Sequence, residues 1–254
     1  MAKNRSDRKD FLFEIGTEEI PAGMLKSGMS QMTEILKQKL NEYNLTYDDI
    51  KGYCTPRRLG CLVKNLLPVQ PDETKVVVGP PVKAAYDANG NPTKAAEGFA
   101  RSQGVEVGSL SRANTGRGEC VTAEKHVKGR NYKEFLPDAI GAVFSGLQFR
   151  KTMRWSSCDE RFIRPVHWLL AIYGNEVVDA SFAGVRSGNF TMGHRFAGNR
   201  KIILKKPGDY VKKLMACFVV PDYEERRSAV LRAIGEIEAA NGFKVAVDDE
   251  LIES

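Results

Sequence analysis

Arginines and aromatic residues recur together in one stretch of the chain, at Lys151–Trp155, Arg161–Trp168 and Gly193–Phe196. Between Arg150 and Lys201 there are nine basic and four acidic residues, so this stretch carries +5 of the formal net charge of +6. Planar guanidinium groups beside flat rings can contact phosphates and stack on bases. The stretch therefore raises a nucleic-acid-binding hypothesis.

The same aromatic side chains also fit a purely structural interpretation. They alternate with polar residues, as half-buried strand residues do, and large aromatic side chains usually pack in cores. A basic stripe shows only that a surface attracts anions, and it does not identify a nucleic-acid site by itself. From this stretch alone, packing is therefore the favoured interpretation and nucleic-acid contact the alternative, for Trp155, Phe162, Trp168 and Phe196.

Two adjacent arginines, Arg57 and Arg58, are a second candidate contact. The proline before them, Pro56, confines the segment to a strand edge or an irregular site. The pair could be an exposed phosphate clamp or part of a salt bridge at a strand edge. Paired arginines are seldom both buried without partners, so partner contact is slightly favoured.

The histidines and the paired glutamates have simpler interpretations than catalysis. His167 lies in a predicted strand, where a core or boundary histidine is favoured over a ligand or base. His194 lies between a glycine, which permits close approach of a ligand, and Arg195, so its phosphate-contact and structural interpretations stay equally open. Glu18 and Glu19 best supply negative charge before the predicted helix that follows them.

Sequence motifs for nucleotide binding, serine hydrolysis and zinc proteolysis are absent from the chain. The cysteine count is odd, at five, and no C-x-x-C pair occurs, which argues against a disulfide framework and a zinc site. Cys54 and Cys61 lie in a strand-like region and are predicted to be small buried hydrophobic side chains. We therefore predict no catalytic residue and no metal site, and a reducing cytoplasmic setting. A hydrolase that uses His194 with a nearby acid is the least supported alternative.

Composition narrows the class of protein further. No apolar run approaches the roughly 18 residues of a membrane span, and residues 1–10 are polar and lack the apolar core of a secretory signal. We expect those ten residues to be a short disordered arm. The sequence pI near 9.0 favours anionic partners without distinguishing RNA from phosphorylated metabolites or a membrane surface.

Periodicity predicts an α+β fold with mixed, largely antiparallel sheets, packed amphipathic helices and one or two lobes. We predict a β-α-β lobe at residues 11–68, an α/β insertion-like region at 75–149, and an antiparallel meander with C-terminal helices at 150–254. Apolar residues at helical spacing predict helices after Pro21 and Pro221. Thr93 and Gly104 are predicted to cap another helix.

The motifs of the chain, taken in order, resemble a known family. They are Phe13–Pro21, Thr55–Leu59, Gly79–Pro81, Gly90–Gly104, Met153–Trp155, Phe162–Trp168 and Gly193–Phe196. Together they resemble the N-terminal part of the β subunit of bacterial heterotetrameric glycyl-tRNA synthetases, from residue 11 onward. The chain departs from that pattern at Ser156–Glu160, in place of a glycine-rich turn, and at Ser187–Thr191, which lacks an expected arginine.

The resemblance implies a subunit of an aminoacyl-tRNA synthetase. It implies that the separate α subunit uses ATP and Mg²⁺ to activate glycine, while the β subunit contacts tRNA(Gly) in an α2β2 assembly. We therefore expect this chain alone to need no cofactor, to bind no ATP or glycine and to catalyse nothing. The candidate contacts to tRNA or the α subunit are Arg57, Arg58, Arg154, Arg164, His194 and Arg195.

An architectural module without direct tRNA contact is the alternative function. In that case the arginines would anchor an interface with another domain or with the α subunit. Family members are far longer than this chain, which ends at residues 253–254 in a predicted helix. We therefore expect a truncated chain that lacks the HD-type and anticodon-binding domains implied by the resemblance.

Overall fold

A computed structural model of the chain describes residues 7–116, 118–248 and 251–252. Most of the predicted arm at residues 1–10, and the chain end at residues 253–254, lie outside the described residues. The α+β prediction is confirmed, since helices alternate with mostly antiparallel strands. Contacts divide the chain into a larger unit, up to Gln70 and from Asn131 onward, and a smaller unit, Pro71–Arg130.

Strands and helices are interspersed along the chain. The strands are β1 (Lys9–Thr17), β2 (Asp49–Thr55), β3 (Arg58–Leu66), β4 (Glu73–Pro81), β5 (Ser111–Thr115), β6 (Gly118–Val127), β7 (Val166–Tyr173), β8 (Glu176–Val177), β9 (Ser181–Phe182), β10 (Val185–Gly188), β11 (Phe190–Met192) and β12 (Lys201–Ile203). The helices are α1 (Leu25–Glu42), α2 (Val82–Ala85), α3 (Lys94–Gln103), α4 (Tyr132–Gly146), α5 (Tyr210–Met215) and α6 (Tyr223–Asn241).

The larger unit is built on a sheet whose strand order is β2-β3-β1-β7-β10-β9, with β8 paired to β7. Alternate residues of a strand point to opposite faces, and β1 is buried on both. Phe11, Phe13 and Ile15 enter one core, and Leu12 enters the other. Glu14 shares the face of Leu12, so a carboxylate lies inside the second core.

Different elements cover the two faces of this sheet. On the first, α1 packs against α4 and buries Met32, Leu36 and Leu40, as the predicted stripe requires. On the second, α5 contributes Tyr210 and Leu214, and Ile202 of β12 joins them. This second face carries the candidate functional residues.

The smaller unit is the three-stranded sheet β4-β6-β5 with α2 and α3. Its core is small and contains Ala85, Ala96 and Val121. Thr93 accepts a hydrogen bond from the Ala95 N–H, and Gly104 ends α3 at φ 72°, so both predicted caps of α3 are confirmed.

The predicted insertion-like region at residues 75–149 is longer than the compact unit. The unit ends at Arg130, and α4 packs in the larger unit. The reason is the apolar side of α4, which buries Phe135, Ala139 and Val143 in the first core of the larger unit.

The antiparallel meander predicted after residue 150 is only partly present. A hairpin through Gly174 joins β7 to β8, but β10 returns parallel to β7, pairing Ser187 with Leu169. β11 leaves this sheet and pairs with β12. Short strands with few buried side chains specify their neighbours weakly, which is why their spacing alone was misleading.

The apolar stripe predicted on α6 does not enter a core among the described residues. Asp222 caps the helix by accepting hydrogen bonds from the Glu224 and Glu225 N–H groups, and Gly242 ends it at φ 72°. Val230 and Ile237, however, remain about half exposed, at 47% and 51%. The helix start is instead held by Arg226, which donates to the carbonyl oxygens of β2 and the preceding turn.

Two predictions that rest on composition can be compared with the structure. No helix within the described residues is long and apolar enough to cross a membrane. Cys54 and Cys61 are fully buried, as expected for small hydrophobic side chains. Burial raises the pKa of the Cys61 thiol to about 12, so this thiol is protonated at neutral pH.

Candidate functional site

A buried carboxylate organises the second face of the main sheet. Glu14 is 0% exposed and accepts hydrogen bonds from Trp168 Nε1 and Thr191 Oγ1, each at 2.5 Å, and from the Tyr210 hydroxyl. These donors come from β7, β11 and α5. A buried charge is tolerated only when it is hydrogen-bonded and paired, so Glu14 requires all of these elements to be in place.

Arg58 supplies the positive charge for this cluster. Its Nη1 lies 3.9 Å from Glu14, and its guanidinium donates to Thr55 Oγ1, Thr191 Oγ1 and the Met192 carbonyl at 3.0, 3.2 and 2.9 Å. The residue is only 2% exposed. Arg58 was predicted as a contact to tRNA or a partner, but in the structure it joins β3 to β11 from within the core.

Burial fixes the protonation state of Tyr210 in this cluster. Burial, reinforced by the Glu14 carboxylate, raises the pKa of Tyr210 well above its usual value. The phenol therefore stays protonated and donates to Glu14. Trp168 is 3% exposed, so the structural interpretation of this aromatic is correct, as it is for the buried Phe162.

Arg57 is placed differently from its neighbour. It occupies the hairpin turn between β2 and β3, where Thr55 pairs with Arg58, and its guanidinium carbon lies 5.7 Å from the Trp168 ring. Its side chain is 20% exposed. Of the two adjacent arginines, Arg57 is the one that reaches the surface.

A second carboxylate, Glu18, lies among cations at the surface beyond the end of β1. His167 Nε2 donates to it at 2.9 Å and Arg195 Nη1 at 3.1 Å, while Arg57 Nη2 lies 3.9 Å away. Arg195 also approaches Glu19 at 3.7 Å. Glu18 is thus held by surface cations, and His167, 46% exposed, is a boundary histidine that hydrogen-bonds to it, which is one of the two favoured interpretations of this residue.

These neighbours make the contribution of Glu18 to folding stability depend on pH. Partial burial alone would raise its pKa, but Arg195, Arg57 and His167 together hold the pKa below its usual value. A carboxylate whose pKa is lower in the folded than in the unfolded state stabilises the fold at pH values above its unfolded-state pKa. This stabilisation is lost as the pH falls through the folded-state pKa. We expect Glu18→Gln to be destabilising at neutral pH and nearly neutral well below about pH 4.3.

Urea unfolding of both proteins across this pH range would measure that difference. Glu236→Gln, an exposed carboxylate on α6, is the matched control and should show no such trend. A Glu18→Gln difference that stays constant from neutral to acidic pH would contradict the ion-pair assignment.

His194 is the second residue of a tight surface loop, residues 193–200. Its Nδ1 accepts hydrogen bonds from the N–H groups of Phe196 and Ala197, both at 3.2 Å. Its own N–H donates to the Cys217 carbonyl at 3.0 Å. With Nδ1 used as an acceptor, the neutral ring carries its proton on Nε2, and the exposed side chain shapes the loop.

Two further candidate arginines lie before β7. Arg154 is exposed, one residue after a backbone bridge between Met153 and Phe162. Arg164 donates to the carbonyl oxygens of Glu19 and Ile163, each at 2.9 Å, and is partly buried. Arg154 is thus available to a partner, whereas Arg164 fixes the segment that carries Glu18.

Comparison with known proteins decides the family. The family model described as glycyl-tRNA synthetase beta subunit matches residues 11–254. The chain belongs to this family. Over 245 residues it is 40% identical to the glycine–tRNA ligase beta subunit of Geobacter metallireducens and 43% identical to that of Desulfitobacterium hafniense strain Y51.

The aligned residues are 96% of this chain but only 36% and 35% of those two relatives. The beta subunit of Anaeromyxobacter dehalogenans, 42% identical, shows the same shares, 96% and 35%. The chain therefore spans just over one third of the length of these curated relatives.

Four of the motifs that carried the family resemblance meet at this site of the beta-subunit chain. Phe13–Pro21 brings Glu14 and Glu18, Thr55–Leu59 brings Arg57 and Arg58, and the other two bring Trp168 and Arg195. The Gly79–Pro81 and Gly90–Gly104 motifs lie in the smaller unit instead. The motifs at the site are far apart in the chain and share no local pattern.

Sequence reasoning missed the buried cluster of Glu14, Thr191 and Tyr210, and it also missed Phe218 and Arg226 near the surface. Phe218 is 67% exposed and lies with Arg226 at a hollow beside Arg57 and the loop 193–200. Neither belongs to a motif, and an isolated phenylalanine is normally assigned to a core. Among the described residues, no three His, Cys, Asp or Glu side chains are grouped to hold a metal ion. The arrangement is suited to binding through cations and rings.

Proposed function

We propose that this chain supports the ATP-dependent glycylation of tRNA(Gly) in the cytoplasm as part of a ligase β subunit. It would contact tRNA and take part in α2β2 assembly, while a separate α subunit binds ATP and Mg²⁺ and activates glycine. Family membership over residues 11–254 carries this proposal. The relatives that match the chain are named as beta subunits of glycine–tRNA ligase.

The exposed cations support the tRNA part of the proposal. Arg154 and Arg195 are exposed, and Arg57 is partly exposed. Arg58 is buried, and Arg164 donates a hydrogen bond to a backbone carbonyl. Arginine is suited to phosphate contact because its planar fork can donate two parallel hydrogen bonds. Arg57, Arg154 and Arg195 are therefore the side chains we assign to the phosphate backbone.

Titration of labelled tRNA(Gly) at low and physiological salt tests this assignment. We expect Arg154→Ala and Arg195→Ala each to weaken binding roughly three- to tenfold. Each should also lower the salt slope by about one, since phosphate contacts release counterions. Lys37→Ala is the charge-matched control, because Lys37 lies on α1, across the sheet from the site, and its removal should change neither quantity.

One observation favours the architectural alternative. Glu18 and Glu19 already pair with Arg195, so part of the positive charge at this site is neutralised within the chain. If Arg154→Ala and Arg195→Ala both fold normally and bind tRNA(Gly) with the affinity of the unaltered chain, the tRNA assignment is wrong. Loss of α-subunit binding in the same variants would then favour an assembly role.

A further inference from the structure

A hollow of about 320 Å³, which we call the Phe196 pocket, lies beside the loop 193–200. Its walls come from the β2–β3 turn with Pro56 and Arg57, the loop with Phe196, the turn with Phe218, and Arg226 at the start of α6. All of these belong to the larger unit. Neither the family match nor the relatives' names assign a ligand to this pocket.

The loop presents the Phe196 ring to solvent from a fixed backbone. Phe196 is 84% exposed. The Gly193 N–H donates to the Arg200 carbonyl and the Gly198 N–H to the His194 carbonyl, both at 3.0 Å. A Cβ at Gly193 would lie 2.0 Å from the Gly198 oxygen, so the two sides of the loop are in close contact. The backbone that carries the exposed ring is thus fixed, which reduces the backbone ordering needed on binding.

The second ring is placed by an unfavourable backbone conformation. Phe218 has φ 60°, in the left-handed region that residues other than glycine seldom adopt. In this conformation the large apolar ring is 67% exposed, so burial of the ring does not offset the cost of the backbone conformation. Gly198 lies close to this ring, since a Cβ there would be 3.2 Å from Phe218 Cδ2. The left-handed backbone at Phe218 also ends α5, where the Val219 N–H donates to the Leu214 carbonyl at 3.0 Å. The turn therefore fixes the position from which the Phe218 ring projects into solvent, and strained backbone of this kind is a recognised feature of binding sites.

The charge of the pocket is positive. Four arginines and one glutamate line it. Glu14 neutralises Arg58, and Glu18 pairs with Arg195 and lies near Arg57, which leaves a small net positive charge. Arg57 Nε is buried and has no hydrogen-bond partner among the described residues. Arg195 lies 6.0 Å from the Phe196 ring and is 44% exposed. An anionic ligand with a flat ring would complement these groups.

From these observations, and resting on the proposed function, we infer that the Phe196 pocket binds one unpaired nucleotide of an RNA strand. The base stacks on the exposed Phe196 or Phe218 ring, and the adjacent phosphate accepts hydrogen bonds from Arg57 and Arg195. Aromatic stacking is available only to a base that is not paired within a duplex. The pocket therefore recognises a single-stranded end, bulge or loop and not a helical stem.

The test uses a short single-stranded RNA that carries the fluorescent base 2-aminopurine, and a hairpin in which the same sequence is paired. We expect the chain to quench 2-aminopurine in the single strand. Phe196→Ala should weaken single-strand binding roughly tenfold, as expected for loss of one stacked base, and leave duplex binding unchanged. Phe196 is so exposed that its truncation should not affect folding.

Two further variants complete the design. Phe218→Gly removes the second ring at a position where glycine accepts the backbone conformation, and should also weaken single-strand binding. Phe243→Ala is the matched control, because Phe243 is also exposed, at 50%, but lies beyond α6 and does not line the pocket.

The outcomes separate this inference from the proposed function. If Arg195→Ala weakens tRNA binding while Phe196→Ala and Phe218→Gly bind single-stranded RNA normally, the nucleotide site is wrong and the proposed function stands. If the phenylalanine variants lose only α-subunit binding, the pocket is a protein interface and the inference is overturned. Loss of quenching and of single-strand affinity in both variants, with Phe243→Ala unchanged, supports it.

Discussion

Replacement of Glu14 by alanine is expected to lower the free energy of unfolding by about 3–5 kcal/mol. The variant leaves the Arg58 guanidinium buried without its carboxylate. It also removes the hydrogen-bond acceptor of Trp168 and of Tyr210. For a chain of this length, such a change should reduce the melting temperature by on the order of 10 °C.

The controls for Glu14 separate charge from packing. Glu14→Gln keeps the size and one acceptor oxygen and should be less harmful than Glu14→Ala. A double variant, Glu14→Leu with Arg58→Met, replaces the pair by apolar side chains and should recover part of the loss. Glu236→Ala on the exposed face of α6 should be neutral. A Glu14→Ala variant within about 1 kcal/mol of the unaltered chain would show that the cluster is not a structural centre.

Gly16→Ala is expected to destabilise the chain by about 3 kcal/mol or more, at the upper end of the range for overpacked cores. A Cβ at Gly16 would lie 1.9 Å from Trp168 Cε2 and 2.0 Å from Cδ2. The ring is 3% exposed and donates to Glu14, so it cannot retreat without breaking that hydrogen bond. The steric clash would therefore disturb the hydrogen bond between Trp168 and the buried Glu14 carboxylate.

A glycine-to-alanine substitution in α4 provides a control with the opposite expected effect on stability. Gly141 lies within α4, and a Cβ there would meet no atom within 4 Å. Gly141→Ala should stabilise the chain by up to about 1 kcal/mol, because alanine is the better helix former. Calorimetry of both variants measures the contrast. If Gly16→Ala melts at or above the temperature of Gly141→Ala, close packing of the Trp168 ring on β1 is not required.

Both variants concern the core beneath the surface residues that we assign to RNA. Glu14 and Gly16 hold Trp168, and the Trp168 ring lies under Arg57. The surface ion pairs around Glu18 also depend on the position of β1 and β7. A buried cluster that fixes several elements can therefore position exposed cations without contacting a ligand itself.

The sequence by itself determined the features that depend on local order. The caps of α3 at Thr93 and Gly104 follow from side-chain chemistry within a few residues, and so does the buried stripe of α1. The ordered set of motifs identified the family, which the matched model confirms. The α+β class followed from the same periodicities.

Only the tertiary structure decided which of two adjacent arginines reaches the surface. Arg58 is buried because its partners, Glu14 and Thr191, are 44 and 133 positions away in the chain, and no local pattern reports them. The parallel return of β10 beside β7 and the exposure of Phe196 and Phe218 were hidden for the same reason. Periodicity shows that a residue suits a core, but burial depends on which side chains the fold places opposite it.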